Sequence, residues 1–203
     1  MGEFDKGYWE EHWAPTVGKD SAELPVNPYI PTETKHLTVG TALDAGCGTG
    51  AEALWLAANG WVVTGADISA NALTTGAARA SAANLTDQIE WVEADLGRWE
   101  TDRRWDLVVT SYAHPDTGQL AFYRRLSSWV APGGTILIIG HLHGADHGHG
   151  HPDGATATLS GIKSLFEGPG WTIDVGYQTV RTVHVRGHST QLHDVVVRAH
   201  SNS

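Results

Sequence analysis

The residues of this chain that could do chemistry lie where three apolar runs end in an acid. Asp44 ends the first run and is followed by glycines at positions 46, 48 and 50; Asp67 comes 23 residues later, and Asp95 ends the third run. A glycine loop that opens a helix presents backbone amides and a helix N-terminus to a ligand. The carboxylate before it can accept hydrogen bonds from an ammonium group. The pattern therefore predicts a site for an acidic or carboxylate-bearing ligand that also carries an ammonium group.

The spacing of the glycines separates two classes of nucleotide ligand. A dinucleotide fingerprint requires Gly-x-Gly-x-x-Gly, and Gly46, Gly48 and Gly50 do not fit that frame. Asp44 would also repel a pyrophosphate, so a nicotinamide oxidoreductase ranks third among the functions considered. Asp67 can accept both hydroxyls of a ribose, and Asp95 can meet an adenine amino group between Ile68 and Leu96. An adenosyl ligand with an ammonium group, S-adenosylmethionine, satisfies all three acids.

Alternating short β-rich runs and longer Ala-rich runs predict an α/β fold with parallel strands joined by helices. We expect strands at Thr41–Asp44, Trp61–Ala66, Ile89–Glu93, Trp105–Thr110 and Thr135–Ile139, then an antiparallel pair at Trp171–Val185 and Leu192–Arg198. Helices are expected at Ala51–Asn59, from Ser69 to about Ala83, at Leu120–Val130 and at Leu159–Phe166. Pro132-Gly133-Gly134 is expected to be a turn.

Four segments resemble successive motifs of class I S-adenosylmethionine-dependent methyltransferases: Leu43 to Gly50, Gly65 to Ser69, Glu93 to Leu96 and Trp105 to Val108. The resemblance implies a Rossmann-like, seven-stranded, mostly parallel sheet of order 3-2-1-4-5-7-6, with strand 7 antiparallel and helices on both faces. It implies one domain overall, with residues 1–35 as an N-terminal helical cap and loop and residues 36–203 as the cofactor-binding part. The implied cofactor-binding residues are Asp44, Ala45, Gly46, Cys47, Gly48, Gly50, Asp67, Ile68, Asp95, Leu96 and Ser111.

The methyl acceptor should lie beyond the carboxyl ends of strands 4 and 5. Candidate catalytic residues there are Tyr112, His114 and His141; a base is useful for a hydroxyl or protonated amine, whereas a thiolate, selenide or halide needs only a shaped, dry pocket. The N-terminal segment resembles the cap of small-molecule methyltransferases related to the tellurite-resistance and thiopurine groups. Candidate acceptor-binding residues are Trp9, Trp13, Tyr29 and His143.

A glycine-rich segment carries His141, His143, His147, His149 and His151, with Asp146 and Asp153. The i, i+2 spacing could build a divalent-metal site, but a flexible solvated loop is the favoured interpretation and no metal is expected. A non-catalytic module that binds an adenosyl ligand, or metal through this loop, is the alternative to a methyltransferase of small S, Se, halide, O or N nucleophiles.

Composition excludes several partners. The formal net charge of −10 opposes binding to nucleic acid or anionic lipid. No apolar run approaches the roughly 18 residues of a membrane span, and Cys47 is the only cysteine, so no intrachain disulfide can form. We expect a cytoplasmic monomer or homodimer whose partner is a small molecule.

Overall fold

In the computed structural model, which describes residues 5–14, 25–142, 156–185 and 188–202, one mixed sheet positions the candidate site. Its strands are β1 (Thr41–Ala45), β2 (Val62–Asp67), β3 (Ile89–Glu93), β4 (Trp105–Ser111), β5 (Val130–Leu142), β6 (Thr156–Ala157), β7 (Trp171–Val185) and β8 (His188–Ser201). The order is β3-β2-β1-β4-β5-β8-β7, with β6 paired to β5. Only β8 runs antiparallel to its neighbours, β5 and β7. The predicted order and antiparallel strand are confirmed, and the two-residue β6 adds an eighth strand.

The helices of the described residues are α1 (Lys6–His12), α2 (Tyr29–Thr34), α3 (Ala51–Ala58), α4 (Ala70–Ala82), α5 (Gln119–Ser127) and α6 (Leu159–Lys163). Ser69 caps α4 as its sequence predicts, because its side chain accepts a hydrogen bond from the backbone of Ala72 at 3.2 Å. Within the described ranges, no helix combines the length and apolar character that crossing a membrane requires.

Two predicted boundaries are wrong at the start of β5. The helix expected to reach Val130 ends at Ser127, and the expected Pro132–Gly134 turn lies inside the strand. Trp105 pairs with Val130 and Leu107 with Thr135, so the intervening residues form a bulge. Proline and glycine are tolerated at such a bulge because its backbone leaves the hydrogen-bonded ladder.

The hairpin of β7 and β8 extends past the carboxyl edge of the parallel strands. Its pairing runs to Val185 and His188, whereas the pairing of β8 with β5 ends at His141 and Asp194. The last strand is therefore longer than Leu192–Arg198, the range that its apolar pattern predicted. The extension places the middle of β7 and the start of β8 beside the ends of β4 and β5, where an acceptor is expected.

The core lies on both faces of the sheet. In β5, Ile136 and Ile138 pack in one apolar cluster, while Leu137 and Ile139 pack in the other. Because consecutive strand residues point to opposite faces, a continuous apolar run marks a central strand buried on both sides. Ile30 of α2 belongs to the second cluster, so the helix after the Pro25–Tyr29 loop packs directly onto the sheet.

The indole of Trp91 on β3 fills a space that three glycines leave open. A Cβ would lie 2.4 Å from this ring at Gly50, 2.9 Å at Gly65 and 2.7 Å at Gly76. These glycines belong to the N-terminus of α3, to β2 and to α4. Trp91 thereby fixes the spacing of the two helices that border the glycine loop.

Replacement of Gly76 by alanine tests this packing. Alanine in a helix is ordinarily better than glycine by up to about 1 kcal/mol, but here we expect a loss of about 1–3 kcal/mol in the free energy of unfolding because the site is overpacked. Urea unfolding is the measurement, and G168A is the control, since a Cβ at Gly168 meets nothing within 4 Å. Adding Trp91→Phe to G76A should recover part of the loss; a G76A protein more stable than the wild type would contradict the packing role.

Candidate active site

The loop between β1 and α3 is held against the end of β2. The backbone N–H groups of Gly46 and Cys47 donate to the carbonyl oxygen of Ala66 at 2.9 and 3.1 Å. Gly46 has a φ of 79°, and a Cβ there would lie 2.4 Å from the Cβ of Ala113. Glycine meets both demands, since it adopts positive φ freely and has no side chain to collide. The loop backbone is thus fixed at the carboxyl edge of the sheet, closely packed against the residues that follow β4.

Two carboxyl groups meet beneath this loop. Asp44 at the end of β1 is 1% exposed, and its Oδ2 has no hydrogen-bond partner among the described residues. Burial raises the pKa of Asp44 well above its ordinary value, and the second cause is the negative charge of Glu52 in the first turn of α3. Burial also raises the pKa of Glu52. Within the described ranges neither acid has an ion-pair partner, so the pocket favours a cationic ligand.

Asn27 connects these acids to the end of β4. Its backbone N–H donates to Glu52 Oε1 at 3.1 Å, and its side-chain Nδ2 donates to Ser111 Oγ at 3.0 Å. Its Oδ1 accepts the backbone N–H of Tyr29 at 3.2 Å. Asn27 is 5% exposed, so it acts as a buried brace between Glu52 and Ser111.

The other two predicted acids follow β2 and β3. Asp67 accepts the backbone N–H of Gly48 at 2.8 Å and of Ser69 at 2.9 Å, and burial raises its pKa. Asp95 accepts the backbone N–H of Gly97 at 3.0 Å and pairs with Arg98 at 2.5 Å. Each carboxylate oxygen can accept more than one hydrogen bond, so these contacts orient both acids without excluding ribose or adenine donors.

Helix α1 lies across the glycine loop and the start of α4. Glu10 accepts from the backbone of Ala70 at 2.9 Å, from the backbone of Asn71 at 3.2 Å and from Ser69 Oγ at 3.0 Å. These bonds lower the pKa of Glu10, the one from Ala70 most. The ring of Trp13 lies 3.2 Å from the position that a Cβ of Gly48 would occupy. The N-terminal segment therefore covers the predicted cofactor loop.

Four aromatic side chains form a row beyond β4 and β5. Ring centroids are 6.4 Å apart for Trp9 and His114, 5.5 Å for His114 and His141, and 4.5 Å for His141 and Tyr112, with planes inclined by 23–25°. Tyr112 has a φ of 54°, an uncommon conformation for a bulky residue that functional sites often retain. The row joins α1 to the ends of the central strands.

The hydroxyl of Tyr112 ends this row in a charged cluster. It donates to Asp194 Oδ1 at 2.7 Å and accepts from Arg181 Nη2 at 3.0 Å. Tyr29 donates its hydroxyl to Asp194 Oδ2 at 2.9 Å. Burial raises the pKa of Tyr29 to about 12 and that of Tyr112 further, so both phenols stay protonated at neutral pH.

The structure brings together the predicted residues at the edge of the sheet. Ala45, Cys47 and Leu96 are buried, and Ile68 and Ser111 are half-buried. Burial raises the pKa of the Cys47 thiol, so it packs in its protonated form. His143 and the histidines at 147, 149 and 151 lie outside the described residues, as do Asp146 and Asp153.

Sequence reasoning missed Glu52, Asn27, Arg181 and Asp194. Glu52 could have been found, because an acid in the first turn after a glycine loop lies beside the preceding strand end. Asn27 stands in Pro25-Val26-Asn27-Pro28, where a polar side chain between prolines is a weak signal. Arg181 and Asp194 carry no local signal, because only the register of the hairpin brings them to the site.

Comparisons with known proteins agree with this geometry. Residues 42–134 match the family described as "Methyltransferase domain". "Probable thiol methyltransferase 2" of Arabidopsis thaliana is 27% identical over 144 residues, 68% of this chain and 63% of that protein. The chain thus spans less than two thirds of that relative.

Solved structures share the fold. TehB from Haemophilus influenzae superposes with a TM-score of 0.73 at 16% identity, covering 95% of this chain and 66% of that one. NodS from Bradyrhizobium japonicum WM9, an N-methyltransferase in complex with S-adenosyl-L-homocysteine, gives 0.70 at 16% identity and covers 98% of both chains. Residues 42–134 are thus similar to a methyltransferase domain, and the sheet shares its fold with solved methyltransferases, in agreement with the glycine loop and the three acidic strand ends.

Proposed function

We propose that this protein transfers the methyl group of S-adenosylmethionine to a small-molecule acceptor, with a thiol as the leading candidate. The observation that carries the proposal is the carboxyl pair of buried Asp44 and half-buried Glu52, which has no ion-pair partner among the described residues. The ammonium of the methionine moiety supplies the charge that this pair lacks. Asp67 then serves the ribose and Asp95 the adenine.

The chemistry asks little of the chain beyond placement. In an in-line displacement, a lone pair of the acceptor forms the new bond to the methyl carbon. The electron pair of the breaking C–S bond stays on the sulfur, and the product is S-adenosylhomocysteine with a neutral sulfur. The protein positions the two reactants and excludes water. The Tyr112–His141–His114–Trp9 row supplies an aromatic wall for that purpose.

A sulfur acceptor fits both the site and the similarity to a probable thiol methyltransferase. A thiol needs only to lose its proton, and its polarizable sulfur suits an aromatic wall. Selenide, halide, hydroxyl and amine acceptors remain in the proposed class as small nucleophiles. A protein that only bound the adenosyl ligand would use the same acids but release no S-adenosylhomocysteine.

His141 is the better placed of the two candidate bases. Gln119 Nε2 donates to the carbonyl of Ala113 at 2.9 Å, which identifies it as the amide nitrogen, and it lies 2.9 Å from His114 Nδ1. His114 Nδ1 therefore accepts a hydrogen bond, so the neutral ring carries its proton on Nε2. His141, 7% exposed and stacked on Tyr112, is the residue to which we assign proton removal from the acceptor.

Asp44→Asn tests the cofactor site. We expect the affinity for S-adenosylhomocysteine to fall by roughly tenfold or more, because a charge-assisted hydrogen bond to the ammonium is lost. The apo protein should gain stability at neutral pH: a carboxyl group whose pKa is raised by folding stabilises below its ordinary pKa, and that contribution is lost as the pH rises through the raised value.

Calorimetric titration and thermal unfolding measure the two effects. Binding of S-adenosylhomocysteine to the wild type should release protons, and its affinity should rise with pH. In D44N both the proton release and the pH dependence of the affinity should be smaller. Asp87→Asn, at an exposed position before β3, is the control. Unchanged affinity in D44N would refute the assignment of Asp44.

His141→Gln tests the base with thiol acceptors and labelled S-adenosylmethionine. At a pH of about 7 a thiol is mostly protonated, since its pKa is near 8.5, and we expect turnover to fall roughly a hundredfold. Above a pH of about 9.5 the thiolate is already formed, so the deficit should shrink to a few-fold. His114→Gln is the matched control. An equal loss at both pH values would assign His141 a packing role, and a wild type that binds cofactor but turns over no small nucleophile would refute methyl transfer.

A further inference from the structure

A guanidinium group lies at the proposed acceptor side of the site, held by three residues that are far apart in sequence. Arg181 of β7 donates through Nε to Asp194 Oδ2 at 2.9 Å and through Nη2 to the hydroxyl of Tyr112 at 3.0 Å. Its Cζ lies 5.9 Å from the ring centre of Tyr29 and 5.8 Å from that of Tyr112. Two rings and a carboxylate thus fix its orientation before any ligand binds.

The charge that a ligand meets here is positive. Asp194 is 0% exposed, and its oxygens accept hydrogen bonds from Tyr29, Tyr112 and Arg181. The side chain of Arg181 is 25% exposed, and its Nη1 has no hydrogen-bond partner within the described ranges. The ion pair of Arg181 with Asp194 is formally neutral. Its carboxylate is buried, however, whereas an N–H edge of its guanidinium can donate to a ligand.

This edge belongs to the reaction site. Asp194 pairs across the sheet with His141, the proposed base, and Tyr112 stacks on the His141 ring. On the other side Tyr29 is bonded to Asn27, which braces Glu52. The charge of Arg181 also contributes to lowering the pKa of Glu52. A group bound to Arg181 would therefore lie between the base and the cofactor acids.

We propose that Arg181 is a specificity-determining subsite for a carboxylate carried by the methyl acceptor, apart from its nucleophilic atom. The planar guanidinium matches the two oxygens of a carboxylate, and the row of rings accommodates the chain that links this group to the sulfur. The inference rests on the proposed function, and it names the acceptor class as carboxylate-bearing small thiols.

A charge-matched series of thiols tests the subsite in the wild-type protein. We expect kcat/KM for 3-mercaptopropionate to exceed that for 2-mercaptoethanol by roughly tenfold or more, because a bidentate charged pair contributes that much, and cysteamine to be the poorest of the three. Equal values for the three thiols, after correction for their thiolate fractions, would overturn the subsite while leaving methyl transfer intact.

Arg181→Gln and Arg181→Lys locate the preference. R181Q should lose roughly tenfold or more with 3-mercaptopropionate, mainly through KM, and less than threefold with 2-mercaptoethanol. R181K keeps the positive charge but loses the planar guanidinium, so its kcat/KM for 3-mercaptopropionate should lie between those of the wild type and R181Q. Arg104→Gln is the control, since Arg104 precedes β4 and, among the residues that the structure describes, donates only to the backbone carbonyls of Asp102 and Arg103. If R181Q does not fold, the comparison of the three thiols in the wild type and in R181K still tests the subsite.

Binding without turnover separates this proposal from the proposed function. The probe is sodium propionate, titrated into protein saturated with S-adenosylhomocysteine and followed by NMR. Binding that is lost in R181Q or R181K but kept in R104Q supports the subsite even if no thiol is methylated, in which case the thiol proposal alone fails. No propionate binding together with no preference among the thiols would overturn the subsite.

Discussion

The burial of Asp44 beside Glu52 is the constraint on which the site depends. A carboxylate removed from water is costly unless it is paired, and the chain places two together at the end of its central strand. In the free protein this cost is relieved by proton uptake. A cationic ligand relieves it better, because both acids can then ionise, so instability of the free site is converted into affinity.

Several parts of the fold meet this constraint. The glycine loop leads from Asp44 on β1 to Glu52 in the first turn of α3, and Trp91 packs against glycines of α3, β2 and α4 that border this loop. On the other side, α2 is fixed by a buried ion pair of Glu33 with Arg198, whose Nη1 lies 3.0 Å from Glu33 Oε2. Tyr177 also donates to Glu33 at 3.0 Å. Removing one partner would leave a buried charge, so this pair holds α2 and the loop before it in place.

The sequence was sufficient for the parts that local rules govern. Apolar runs predicted the strands, and glycine spacing with acids at strand ends predicted the cofactor side, whereas the sheet order came from the resemblance to class I methyltransferases. Trp91 was assigned to a strand, but its role required the knowledge that Gly50, Gly65 and Gly76 converge on one ring. The bulge at Pro132–Gly134 was not predicted, because proline and glycine by themselves indicate a turn. Only the pairing of β4 with residues on both sides of them shows that they lie within a strand. Asp194 and Arg181 meet through hairpin register, which no local pattern encodes.

One short segment joins the two halves of the site. Asn27 contacts the cofactor acid Glu52, and two residues later Tyr29 contacts Asp194 beside Arg181. The backbone N–H of Tyr29 donates to Asn27 Oδ1 and closes the segment into a turn, so both contacts belong to one local structure. A ligand that orders one end lowers the entropic cost of ordering the other. The positive charge proposed for the cofactor would thus meet Asp44 and Glu52 at one end of this segment, and the negative charge proposed for the acceptor would meet the half-buried guanidinium of Arg181 at the other.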